Sequence, residues 1–180
     1  MRGSLAIVVF AACFASACDA PANDKPVGAA EVAPPPQREP LPKPVADTVR
    51  LLTQVAEQGG PRDLARLAST TESFRSNNAG MSHAEYWGLK GRTGDPPGPQ
   101  LSKVLAYRFT VADSPQGKVY IWPYMAMLKP DEIGPADARE IDKLLGPGMA
   151  DQLRKGGIWP GYVLGIREDG LWLYFVSGSG

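Results

Sequence analysis

The chain has 180 residues, 43% hydrophobic and 21% charged, with 19 basic against 19 acidic side chains. That balance excludes the electrostatic footprint of a typical nucleic-acid binder, because neutralising phosphates takes an excess of Lys and Arg. One His and 2 Cys leave little material for a metal centre, so no metal or other cofactor is expected.

Met1 and Arg2 form a short positive start, and Leu5 to Phe14 is an apolar run of signal-peptide length. It falls short of the roughly 20 apolar residues that span a bilayer. Small residues Ala15-Ser16-Ala17 then precede Cys18.

Ala15-Ser16-Ala17-Cys18 resembles the lipobox of bacterial lipoproteins, with Ala15 where Leu is commonest. The resemblance implies cleavage before Cys18, lipid on its thiol and acylation of the new amino terminus. Asp19, next in the chain, resembles an inner-membrane retention signal. A plain secretory site after Ala17 is the competing reading, and it leaves Cys18 as a free thiol in an oxidising compartment. Residues 1–17 are then signal peptide, and the mature protein faces the periplasm from the inner or outer membrane.

Residues 18–44 read as a tether. Pro21 to Pro44 holds eight of the 18 prolines and almost no large apolar side chain, so ordering it has little burial to offset the lost entropy. A single domain is expected over residues 45–180.

Val45, Val49, Leu52 and Ala56 recur at helical spacing, stopped by Gly59-Gly60. Pro61 opens a second short helix, with Leu64 and Leu67 on one face. Ser82 and Glu85 predict a capping box at the start of a third, carrying Tyr86, Trp87 and Leu89. Gly91 to Pro99 reads as a loop.

Leu105 to Val111 alternates with period two, the signature of a half-buried strand, and Lys118 to Met127 is expected to return beside it, with Pro123 at an edge or bulge. A helix from Pro135 to Leu145 and a shorter one ending at Gly156-Gly157 separate that hairpin from another, Tyr162 to Ile166 and Leu171 to Val176. The expected fold is α+β: short helices first, then an antiparallel sheet of about four strands, two hairpins split by a helix.

His83 is the one imidazole, and the capping box predicts that it points to solvent. Asp131, Glu132, Asp137, Glu140 and Asp142 are numerous enough to suggest a carboxylate pair across a cleft. Their ordinary use is on helix ends and surfaces. The loop Gly91-Arg92-Thr93-Gly94-Asp95 lacks the Lys-Ser/Thr ending of a phosphate loop.

The aromatic residues are the unusual feature. Alternation sets Tyr120, Trp122 and Tyr124 on one face of their strand and Trp172 and Tyr174 on one face of theirs. They form either a core or an exposed platform for a protein, peptide or glycan, and the platform is the candidate binding site.

Gly80-Met81-Ser82 at a helix start and Gly94-Asp95-Pro96 beyond it resemble the small accessory lipoprotein of the outer-membrane β-barrel assembly machine. The longer interval and the helix around Ile141 depart from that family. A small ligand-pocket domain similar to nuclear-transport-factor folds is a second analogy. The expected function is a membrane-tethered envelope lipoprotein, a non-catalytic binding or accessory module with a protein or glycan partner. The alternative is a small hydrolase or ligand pocket using His83 or paired carboxylates.

Overall fold

The computed structural model describes residues 40–178. The signal peptide, Cys18 and the tether as far as residue 39 lie outside the described residues.

Helices α1 (Lys43–Gln58), α2 (Pro61–Ala68), α3 (His83–Arg92) and α4 (Pro97–Leu105) come first. Strands β1 (Thr110–Ser114) and β2 (Gly117–Trp122) form a hairpin, followed by two short 3-10 turns, Tyr124–Met127 and Pro130–Glu132. Helices α5 (Pro135–Leu145) and α6 (Met149–Arg154) lead to a second hairpin, β3 (Tyr162–Arg167) and β4 (Trp172–Ser177). The sheet is antiparallel in the order β1-β2-β3-β4, so the fold is α+β as the sequence predicts.

Local chemistry accounts for the helix ends. Ser82 Oγ accepts the Glu85 backbone N–H at 3.2 Å while the Glu85 carboxylate accepts the Ser82 N–H at 3.0 Å, which closes the capping box. Pro occupies the first turn of α1, α2, α4 and α5, where its missing N–H would have had no helical partner. α1 begins two residues before Val45, and Leu41 already packs against the core.

Three expectations need correction. Gly91 to Pro99 is no continuous loop: α3 runs to Arg92, and α4 starts at Pro97 and buries Leu101 and Val104. Gly98 lets α4 approach α1, because a Cβ there would sit 2.9 Å from the Ala56 carbonyl oxygen. Leu105 ends α4 and Phe109 precedes β1, so of the alternation from Leu105 to Val111 only Thr110 and Val111 belong to a strand. β2 stops at Trp122, because Pro123 has no N–H to continue the ladder, and Tyr124 enters a 3-10 turn.

Two clusters form the interior. The larger lies between α1–α4 and one face of the sheet, joining Val45, Leu52, Leu64 and Trp87 to Tyr120, Trp122, Leu164 and Phe175. The smaller gathers Met125, Ile133, Ile141, Leu153 and Trp159 around α5 and α6. The sheet face opposite α1–α4 is covered in part by the smaller cluster, to which Val163 of β3 belongs, and two hollows open on the rest of it.

Candidate functional site

The expected aromatic platform is not a surface. Tyr120, Trp122 and Trp172 are 9%, 3% and 4% exposed, all within the larger core. Phe109 packs against Tyr120 and Trp122 at 5.5 and 5.3 Å, and Trp172 stacks on Trp87 at 6.1 Å. Helices α1–α4 cover the face that the platform needed to keep open.

Tyr124 leaves the strand and takes a fixed polar role. Its hydroxyl donates to Asp137 at 2.5 Å, lies 3.2 Å from Glu140 and accepts from the Arg108 guanidinium at 2.7 Å. Burial and the hydrogen bond to Asp137 push the phenol well above its usual range. This arrangement ties α5 to the end of the β2 segment.

Tyr174 is separated from Trp172 by an irregularity in the ladder. Trp172 pairs with Ile166 and Tyr174 with Gly165, a register shift that leaves Leu173 as an extra residue. Two residues that strict alternation puts on one face therefore face opposite ways. Trp172 joins Tyr120 among the helices, and Tyr174 joins Ile121 and Val119 on the other side. Nothing short of the bulge could have revealed this in the sequence.

On that second face the Tyr174 phenol lies against Gly165, and the Arg75 guanidinium sits 5.5 Å from the centre of its ring. Arg75 is held by its backbone: its N–H donates to Leu173 O, and its carbonyl accepts from the Phe175 N–H, each at 3.0 Å. Sequence analysis did not single out Arg75. An arginine in a loop carries no pattern until pairing with β4 places it.

Two hollows flank this pair. One, about 450 Å³, has Val119, Ile121 and Leu173 beneath it and Asp113 at its rim. The other, about 500 Å³, runs between Trp159, Val163 and Val176 on one side and Ser76, Asn77 and Asn78 on the other, with Ile158 at its edge. Ile158 is 68% exposed, the most exposed large apolar residue described. Arg75 and Tyr174 line both hollows.

His83 is half-buried rather than free in solvent. Its ring meets Phe74 edge-on at 5.1 Å and lies near Trp87 at 5.8 Å, and its Nδ1 is 2.9 Å from Ser76 Oγ. Burial lowers its pKa below the ordinary value of 6.5, because the charged form loses water. No side-chain hydrogen bond joins it to a carboxylate among the described residues.

The carboxylates do not converge on a cleft. Asp137 and Glu140 meet at Tyr124, Asp137 also accepts the Gly134 N–H, Glu132 accepts the Lys129 N–H, and Asp142 accepts the Ala150 N–H at the start of α6. Asp131 is exposed. Asp95, at the end of the supposed phosphate loop, instead accepts from Tyr162 at 2.8 Å and Gln100 at 2.7 Å and pairs with Lys90. Burial raises the Asp95 pKa, but these partners outweigh it and hold the carboxyl below its usual range. No cluster of three His, Cys, Asp or Glu side chains fit for a metal ion occurs among the described residues.

The fold and these contacts define an α+β domain with a groove, apolar on one side and polar on the other, beside an arginine whose backbone is paired with β4. Comparison with protein-family models, curated proteins and solved structures finds no match to this chain.

Proposed function

We propose that this protein is a lipid-tethered module of the bacterial envelope, facing the periplasm, that binds a partner chain without transforming it. Cys18 supplies the anchor in this reading, and the second face of the sheet supplies the binding site. The observation that carries it is the groove beside Arg75: one apolar side, an exposed Ile158, and an arginine whose backbone is paired with β4 and whose guanidinium lies by the Tyr174 ring. Pre-formed concave sites with an apolar lining and a few placed polar groups are the usual form of binding sites.

Two measurements test the reading. Replacing Cys18 with Ala should move the protein from membranes to the soluble fraction and abolish labelling by a lipid precursor, and retention of both would sink the anchor. A photo-reactive residue at position 158 should give a discrete adduct in intact cells, while the same residue at Leu51, exposed on α1, should give none. Equal behaviour at the two positions overturns the groove as the binding site.

A hydrolase working through His83 is the second reading, favoured by the Ser76–His83 contact at the groove rim. A serine nucleophile needs a base at that distance, and also a group to orient the base. Labelling of Ser76 by a fluorophosphonate, lost in Ser76→Ala, would replace the binding reading with this one.

A further inference from the structure

We propose that the groove beside Arg75 recognises the free C-terminal carboxylate of a peptide that ends in an apolar residue. The inference rests on the groove being the binding site and adds the chemistry of its ligand. Arg75 is the one charged residue lining the 500 Å³ hollow. No carboxylate pairs with it among the described residues.

The hollow thus sets an apolar side, Trp159, Val163 and Val176, against a polar one, Ser76, Asn77 and Asn78, with the exposed Arg75 as the one charge of its lining. Asn77 adds a donor, since its Oδ1 accepts the Ser177 N–H at 2.7 Å and its NH2 has no protein partner among the described residues. The complementary ligand carries an anion within a few ångströms of an apolar group. A C-terminal residue does so with least freedom to lose, because carboxylate and side chain share one Cα. Bidentate pairing of guanidinium with carboxylate is the strong form of that contact.

A glycan fits less well. Stacking a sugar needs an open aromatic face, yet Trp159 is 9% exposed, and the Tyr174 ring is flanked by Gly165 and the Arg75 guanidinium. The Arg75 backbone pairs with β4 through its N–H and its carbonyl, which fixes the root of the side chain at the groove edge, and the guanidinium lies 5.5 Å from the centre of the Tyr174 ring.

The test uses the full mature chain with Cys18→Ala, labelled with ¹⁵N, and the peptides acetyl-Gly-Ser-Ala-Leu and acetyl-Gly-Ser-Ala-Phe, each as free acid and as amide. The acids should shift the amide signals of Val163, Tyr174 and Val176. The amides should bind roughly tenfold or more weakly, as should the acids to Arg75→Gln. Arg75→Lys, which keeps the charge without the fork, should fall between, and an unchanged melting temperature shows that the variants fold. Equal binding of acid and amide, or acid binding unaffected in Arg75→Gln, overturns the carboxylate inference. So does an absence of shifts with both acids. The position-158 adduct does not depend on the end group, so it separates failure of this inference from failure of the groove as a site.

Discussion

The Tyr174 phenol occupies the space above Gly165 that a side chain there would fill: a Cβ on Gly165 would collide with the ring's Cζ. The absence of a side chain at one position in β3 thus sets the position of an aromatic ring in β4. That ring in turn carries Arg75 and divides the two hollows.

Gly165→Ala should expel the phenol from its seat. Alanine loses less backbone entropy than glycine on folding, but displaced packing outweighs that advantage, and a net loss of about 1 to 2 kcal/mol is expected in urea titration. The Tyr174 ring signals should move with it. A variant as stable as the parent, with those signals unchanged, would contradict the close approach.

Trp122→Ala tests the assignment of the aromatic strand to the core. Trp122 is 3% exposed among α1–α4 and the sheet, so truncation should cost about 3 to 5 kcal/mol. A loss below about 1 kcal/mol, measured by chemical unfolding, would mean that the ring is exposed after all.

His83 predicts a pH dependence with a definite sign. Its folded pKa lies below the unfolded value of 6.5, so the folded state binds fewer protons between the two. The contribution to stability is complete above the unfolded pKa and fades as pH falls toward the folded one. Unfolding curves from pH 7.5 to 5 should show this decline in the parent and a shallower one in His83→Gln. Identical slopes would show that His83 does not titrate differently in the two states.

Asp95 acts lower on the scale. Its depressed carboxyl stabilises the fold above the unfolded value of 3.8, and that contribution is lost as pH falls through the folded pKa. Tyr162→Phe removes one of its partners and should cost about 0.5 to 1.5 kcal/mol near neutral pH. Asp95→Asn should flatten the acid limb of the stability profile, where Tyr162→Phe should only shift it.

Local pattern in the sequence determined the elements whose ends depend on near neighbours. Ser82 and Glu85 announce α3 because a capping box is closed within four residues, and Gly59-Gly60 and Pro61 separate α1 from α2 for the same reason. The second hairpin and α5 were legible through their turn residues and period. The alternation from Leu105 to Val111 misled up to Phe109, since those apolar residues serve the end of a helix and a connecting segment once α4 packs on α1, and only Thr110 and Val111 enter β1.

The site lay beyond the sequence because each of its parts is set by a partner far along the chain. Alternation assigns Trp172 and Tyr174 to one face. The extra residue Leu173 exists only relative to the spacing of Ile166 and Gly165 in β3, and it sends them to opposite faces. Which face stays open was decided by α1–α4, whose apolar sides bury Tyr120 and Trp122. Arg75 became a site residue because its backbone pairs with β4 roughly a hundred residues further along. Periodicity reports which side chains share a face. Only packing between distant segments settles which face meets water and which charge stands beside it.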